Sequence, residues 1–149
     1  MNPLQFLIPL GWVETVGPIL PLAILVLVIA NMSTRLLANR VHKQQADEGT
    51  KDEALSRYGP HTFTTMGLVM MSLLFIVYRP TSGLILAVPV VGLLLTDFFE
   101  FESRMVEARN DMPIERPKAG LAISVIVLVY AAYYGLQFLY GPYLDLIFA

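Results

Sequence analysis

The stretch Pro18-Ile-Leu-Pro-Leu-Ala-Ile-Leu-Val-Leu-Val-Ile-Ala-Asn31 carries no charge, and Met-Ser-Thr-Arg35-Leu-Leu-Ala-Asn-Arg40 continues it without a helix breaker. A hydrocarbon core about 30 Å thick is crossed by about 20 helical residues, so residues 18–40 make a complete first span. Pro18 and Pro21 fall in its first turn, where the early N–H groups lack intrahelical partners in any case. Upstream, Pro3, Pro9 and Gly11 break a segment too short to cross, which is read as interfacial and anchored by Trp12. No Lys or Arg precedes Arg35. A secretory signal peptide needs a basic start, so the first span is expected to be retained.

Downstream, residues 41–59 are polar and mixed in charge, and read as a solvated loop with a short helix at Lys51 to Arg57. Pro60 opens a second span, 61–78, which Arg79-Pro80 stops, because the residue before a proline resists the helical region. Thr81-Ser82-Gly83 reads as the turn into a third span, 83–109, apolar as far as Thr96 and then amphipathic beyond the hydrocarbon. Asn110, Asp111 and Pro113 end it, Pro117 starts a fourth span, 118–140, and the tail from Gly141 reads as interfacial. The expected fold is all-α, a polytopic membrane protein whose residues 1–149 form one four-transmembrane-helix bundle with interfacial N- and C-terminal segments.

Composition agrees with this. Of 149 residues, 56% are hydrophobic and 15% charged, with a mean hydropathy of +0.62, far more apolar than a soluble domain. The net charge of -2 offers no basic surface for nucleic acid. Cys is absent, which excludes disulfides, thiolate catalysis, iron–sulfur clusters and Cys-type zinc sites. Lys and Arg are sorted by side. Arg35, Arg40, Lys43, Lys51, Arg57, Arg104, Arg109, Arg116 and Lys118 share one side of the bundle, and only Arg79 lies on the other. The positive-inside bias then places both termini outside the cell membrane, with Trp12, Tyr78, Tyr133, Tyr134, Tyr140 and Tyr143 as an outer aromatic belt.

Small residues four apart let membrane helices approach closely, and Gly83 with Ala87, Gly92 with Thr96, Gly120 with Ser124, and Ala131 with Gly135 have that spacing. Pro89 removes the donor for the Ile85 carbonyl and is expected to kink the third span, either as a static bend or as a hinge. His42 in a loop and His61 at the inner mouth are poorly placed for haem, and no Glu-x-x-His, nucleophile–base pair or phosphate loop occurs, so no cofactor, metal or catalytic residue is expected. Met66, Met70 and Met71 read as packing before they read as soft metal ligands. Glu100 and Arg104, in favourable i,i+4 order, read as surface pairing. The sharpest expectation is an ion pair: Arg35 and Asp97 reach similar depth near the inner boundary on spans running the same way, where each charge has reason to find an opposite partner; the alternative is that Arg35 snorkels to lipid phosphate while Asp97 caps or hydrates at the interface. Of Phe98 and Phe101, one should pack beneath span one or four while the other faces lipid or a partner.

Five strings, Ala30-Asn-Met-Ser-Thr-Arg35, Ala54-Leu-Ser-Arg-Tyr58, Thr96-Asp-Phe-Phe-Glu-Phe-Glu102, Val106-Glu-Ala-Arg-Asn-Asp111 and Ile114-Glu-Arg-Pro-Lys118, resemble a family of small four-span membrane proteins of halophilic archaea. The resemblance covers most of the chain and implies no active-site residues, because that family has no known function. Seven Arg against three Lys fit a salt-adapted source. The expected role is a non-catalytic structural or accessory subunit, with the lipid bilayer and other membrane subunits or further copies of the chain as partners. The alternative is a small oligomeric transporter or ion conduit working through Asp97 and Pro89, and an enzyme ranks last.

Overall fold

A computed structural model describes residues 10–48 and 55–148, and the regular structure among them is entirely helical. Short helix α1 (Leu10–Val16) passes through a 3₁₀ turn, Gly17–Ile19, into α2 (Leu20–Glu48). Then follow α3 (Gly59–Tyr78), α4 (Pro80–Arg109) and α5 (Lys118–Phe148). Four helical segments are long and apolar enough to cross a membrane: Gly11–Glu48, Gly59–Tyr78, Pro80–Arg109 and Lys118–Gln137. The interfacial expectation for residues 1–9 lies outside the described residues, as does the part of the expected short helix at residues 51–54.

Neighbouring helices pack as α2–α3, α3–α4, α4–α5 and α5–α2, closing a ring of four in which α2 and α4 run opposite to α3 and α5. Each contributes one stripe to the core: Leu20, Ile24 and Val28 from α2, Leu68 and Phe75 from α3, Leu86, Val90 and Leu93 from α4, and Val127 and Ala131 from α5. The outward faces are equally apolar, as Val26, Met70, Val88 and Val129 show. Such all-round apolarity is stable only against lipid.

The helix boundaries differ from the sequence expectations in three places. α2 continues to Glu48 past Arg40, since 41–48 holds no Gly or Pro to end it; residues 55–58 are not helical. The α3–α4 connection is Arg79 alone, in extended conformation, and α4 begins at Pro80. Proline at a helix start loses no hydrogen bond and arrives with a helical φ, so Thr81, Ser82 and Gly83 form the first turn rather than the connection. α5 runs through Pro142 to Phe148. Pro89 likewise lies inside α4 without ending it. At the far end of α4, Asp111 takes φ 55 while Met112 N–H donates to the Glu107 carbonyl at 2.8 Å, closing the helix in a Schellman arrangement.

The small-residue positions do different work. A Cβ on Gly83 would collide with the Ile76 backbone of α3, and one on Gly135 would stand 3.1 Å from the Pro21 carbonyl and 3.2 Å from Leu22 Cα of α2. Ala87 and Ala131 are buried beside them. Gly92 and Thr96 are not a packing pair: nothing lies within 4 Å of a Gly92 Cβ, and the Thr96 hydroxyl turns back to the Gly92 carbonyl at 2.6 Å. Overpacking a tight contact costs about 1–3 kcal/mol. Gly83→Ala is therefore expected to destabilise the detergent-solubilised protein by about that amount, while Gly92→Ala leaves stability unchanged or slightly raised; equal losses at the two sites would contradict this packing.

Candidate functional site

The four helices bring polar side chains to one layer. At about 1.5 Å per residue, Asp97 lies about 25 Å from the start of α4 at Pro80, and His61 lies the same distance from the end of α3 at Tyr78. Gly120 is at the same distance from Gln137 on α5. The layer therefore sits near one hydrocarbon boundary, at the end bearing the α2–α3 and α4–α5 connections, the basic end of the bundle.

Arg35 of α2 is the centre. The residue is 1% exposed. Its Nη1 donates to Asp97 Oδ1 at 2.5 Å and to Glu100 Oε2 at 3.0 Å, both from α4. Its Nη2 donates to Asn31 Oδ1 at 3.3 Å, one turn back on α2. Asn31 spends its amide protons on Thr64 Oγ1 at 3.0 Å and Thr65 Oγ1 at 2.9 Å of α3. That fixes which way the amide faces, because its oxygen alone can accept from Arg35. Asp97 Oδ2 accepts from the Thr65 hydroxyl at 2.7 Å and lies 3.1 Å from His61 Nε2. Glu100 Oε1 accepts from the Gly120 N–H of α5 at 2.9 Å. All four spans thus meet through two carboxylates, and each of the four carboxylate oxygens has a protein donor. Gly120 has to lack a side chain: a Cβ there would overlap the Arg35 guanidinium and stand 2.6 Å from Glu100 Oε1. Its partner by spacing, Ser124, is fully buried and bonded to the Gly120 carbonyl at 2.7 Å.

A second tier lies beyond Glu100. Arg104 Nη2 is 3.7 Å from Glu100 Oε2, and Nη1 donates to His42 Nδ1 at 3.1 Å. His42 Nε2 lies 2.9 Å from the Ser56 carbonyl. A carbonyl only accepts and an arginine only donates, so Nε2 carries the proton, Nδ1 is bare and the ring is neutral. Arg104 is buried and its Nη2 has no hydrogen-bond partner. Two expectations are corrected here. Glu100–Arg104 belongs to the interior cluster and not to the surface, because α4 turns that face toward α2. His42 is a buried helical residue and not a loop residue, because α2 runs on past Arg40. Phe101 packs edge-on against His42 with ring centroids 5.4 Å apart, whereas Phe98 is exposed. Among the methionines, Met71 packs against the core while Met66 and Met70 face outward.

A cavity of about 220 Å³ opens beside the cluster between α3 and α4, with His61, Thr65, Asp97, Glu100 and Arg104 on its polar wall and Met66, Leu94 and Phe98 on its apolar one. Arg57 caps it, the guanidinium carbon 4.7 Å from the Phe98 ring centre and 4.5 Å from that of Phe101. Among the described residues, no group of three or more His, Asp or Glu side chains is arranged to hold a metal ion.

Sequence spacing finds Arg35 and Asp97 but misses Asn31, His42, His61, Thr64, Glu100 and Arg104 as members of one site. No curated protein and no solved structure matches the chain. Residues 2–148, nearly the whole length, match a family described as a domain of unknown function, DUF7313. The four-helix bundle and its charged layer are thus those of a chain that belongs to the DUF7313 family.

Proposed function

We propose that this multi-pass membrane protein is a non-catalytic structural or accessory subunit of a larger membrane assembly, with its basic end in the cytoplasm and both termini outside. One observation carries the reading: every oxygen of the cluster's two carboxylates, both on α4, is bonded by a donor from one of the other three spans. Acids held this way brace helices. A cation-conducting path needs acid oxygens free to exchange partners and polar groups continuing along the pore. Between this cluster and the opposite end the core is apolar, from Leu68 and Leu93 to Phe75 and Leu86, except for Ser72 and Ser124, whose hydroxyls turn back to the Val69 and Gly120 carbonyls of their own helices. The conduit alternative is favoured by the cavity that reaches Asp97 and His61.

Purification in mild detergent distinguishes the two. A subunit brings other membrane chains with it reproducibly; a homogeneous oligomer of this chain that passes ions in liposomes contradicts the proposal. Orientation is tested separately, without background because the chain has no Cys. Asp47→Cys should resist an impermeant thiol reagent in intact cells while Asp145→Cys reacts, and the opposite pattern reverses the topology.

A further inference from the structure

We propose that the cavity at the basic end seats the phosphate of an anionic phospholipid from the adjoining leaflet. Its acid oxygens are all engaged, while some of its donors are not. Every oxygen of Asp97 and Glu100 already has a donor. By contrast Arg104, 6% exposed, has its Nη2 without a hydrogen bond. Arg57 rests on two aromatic faces and pairs with no acid among the described residues. Tyr58 also lines the cavity, and its hydroxyl makes no hydrogen bond to a described residue. Arg35, Arg57 and Arg104 against Asp97 and Glu100 leave at least one net positive charge. An unpaired donor set of this kind suits an oxyanion that accepts several hydrogen bonds, and guanidinium groups match phosphate geometry.

The mouth points to lipid as the source. Met66 and Phe98, 46% and 52% exposed, border the opening on the outward faces of α3 and α4. An acyl chain can lie against them while the head group enters. At about 220 Å³ the cavity is smaller than the roughly 300–1,000 Å³ of pockets that enclose a whole small molecule, so it admits a head group and leaves the tails in the bilayer. The cavity starts at the hydrocarbon boundary and Arg104, about 10 Å beyond Asp97 along α4, carries it into the head-group layer that holds lipid phosphates, and basic pockets between spans recognise such groups.

The test is native mass spectrometry of the purified full chain in mild detergent, titrated with phosphatidylglycerol, phosphatidylcholine or inorganic phosphate. One phosphatidylglycerol adduct should persist at about tenfold lower lipid concentration than phosphatidylcholine requires, and Arg57→Gln should abolish that preference, whereas Arg40→Gln, on the exposed side of α2, should keep it. Tyr58→Phe, which leaves the ring in place, should weaken retention by a smaller factor. Equal retention of the two lipids overturns the proposal, as do equal losses in Arg57→Gln and Arg40→Gln, which would reduce the effect to general charge attraction. Saturable binding of inorganic phosphate that displaces phosphatidylglycerol assigns the cavity to free phosphate and overturns the lipid.

Discussion

Arg35→Met is expected to cost about 3–5 kcal/mol of stability, the range for removing one partner from a buried ion pair. The loss comes less from the vanished contacts than from what stays behind. Asp97 and Glu100 remain ionisable near the hydrocarbon boundary, with their shared cation gone and methionine unable to donate. Asp97 keeps Thr65 and His61, and Glu100 keeps Gly120 and Arg104, so helix ends still touch. The charge balance does not survive. Unfolding in mixed micelles, followed by helical circular dichroism, measures the change. Arg40→Met on the exposed side of the same helix should stay within about 0.5 kcal/mol. A loss at Arg35 no larger than at Arg40 would mean that the cluster does not brace the bundle.

Gly120→Val should produce a loss of similar size by a different route. The new side chain would occupy the space of the Arg35 guanidinium and crowd Glu100 Oε1, which the Gly120 N–H holds at 2.9 Å. α5 then has to retreat from α2, or Arg35 has to leave its carboxylates. In either case two interactions fail together. Because the conflict is with a particular guanidinium, Gly120→Val should cost much less when introduced into Arg35→Met, where that space is vacated. Contacting residues depart from additivity in this way by about 0.5–3 kcal/mol. Full additivity of the two substitutions would place Gly120 away from Arg35.

The bundle was legible because apolar length and proline placement are local properties. Pro18, Pro60 and Pro117 each fall near a helix start, and the charge-free run of residues 18–31 has no stable setting other than lipid or a large core. Boundaries were less legible where proline cuts both ways: Pro80 both stops α3 and starts α4, so the turn shrinks to Arg79. The site was half legible. Depth arithmetic along two parallel spans joins Arg35 to Asp97, but depth alone does not show which faces meet. A signal for the rest does exist in the spacing. Asn31, Arg35, Ala38 and His42 recur at helical intervals on one face of α2, while Asp97, Glu100 and Arg104 do so on α4, and His61, Thr64 and Thr65 cluster on α3. With His42 placed in a loop the first stripe is broken and the partner of Arg104 is hidden. Gly120 shows the opposite case: its four-residue spacing from Ser124 is real, yet the glycine makes room for Arg35 and Glu100 and not for a helix backbone.

The central claim is that Arg35 and Asp97 act as one unit that ties α2 to α4 at the basic end. A double-mutant cycle over Arg35→Met and Asp97→Asn, read as unfolding free energy in mixed micelles, tests it most directly. The geometry predicts a coupling of about 1–3 kcal/mol, with the double variant more stable than the sum of the single losses allows. Losses that simply add, with no coupling beyond about 0.3 kcal/mol, would contradict the pair and the bracing role built on it.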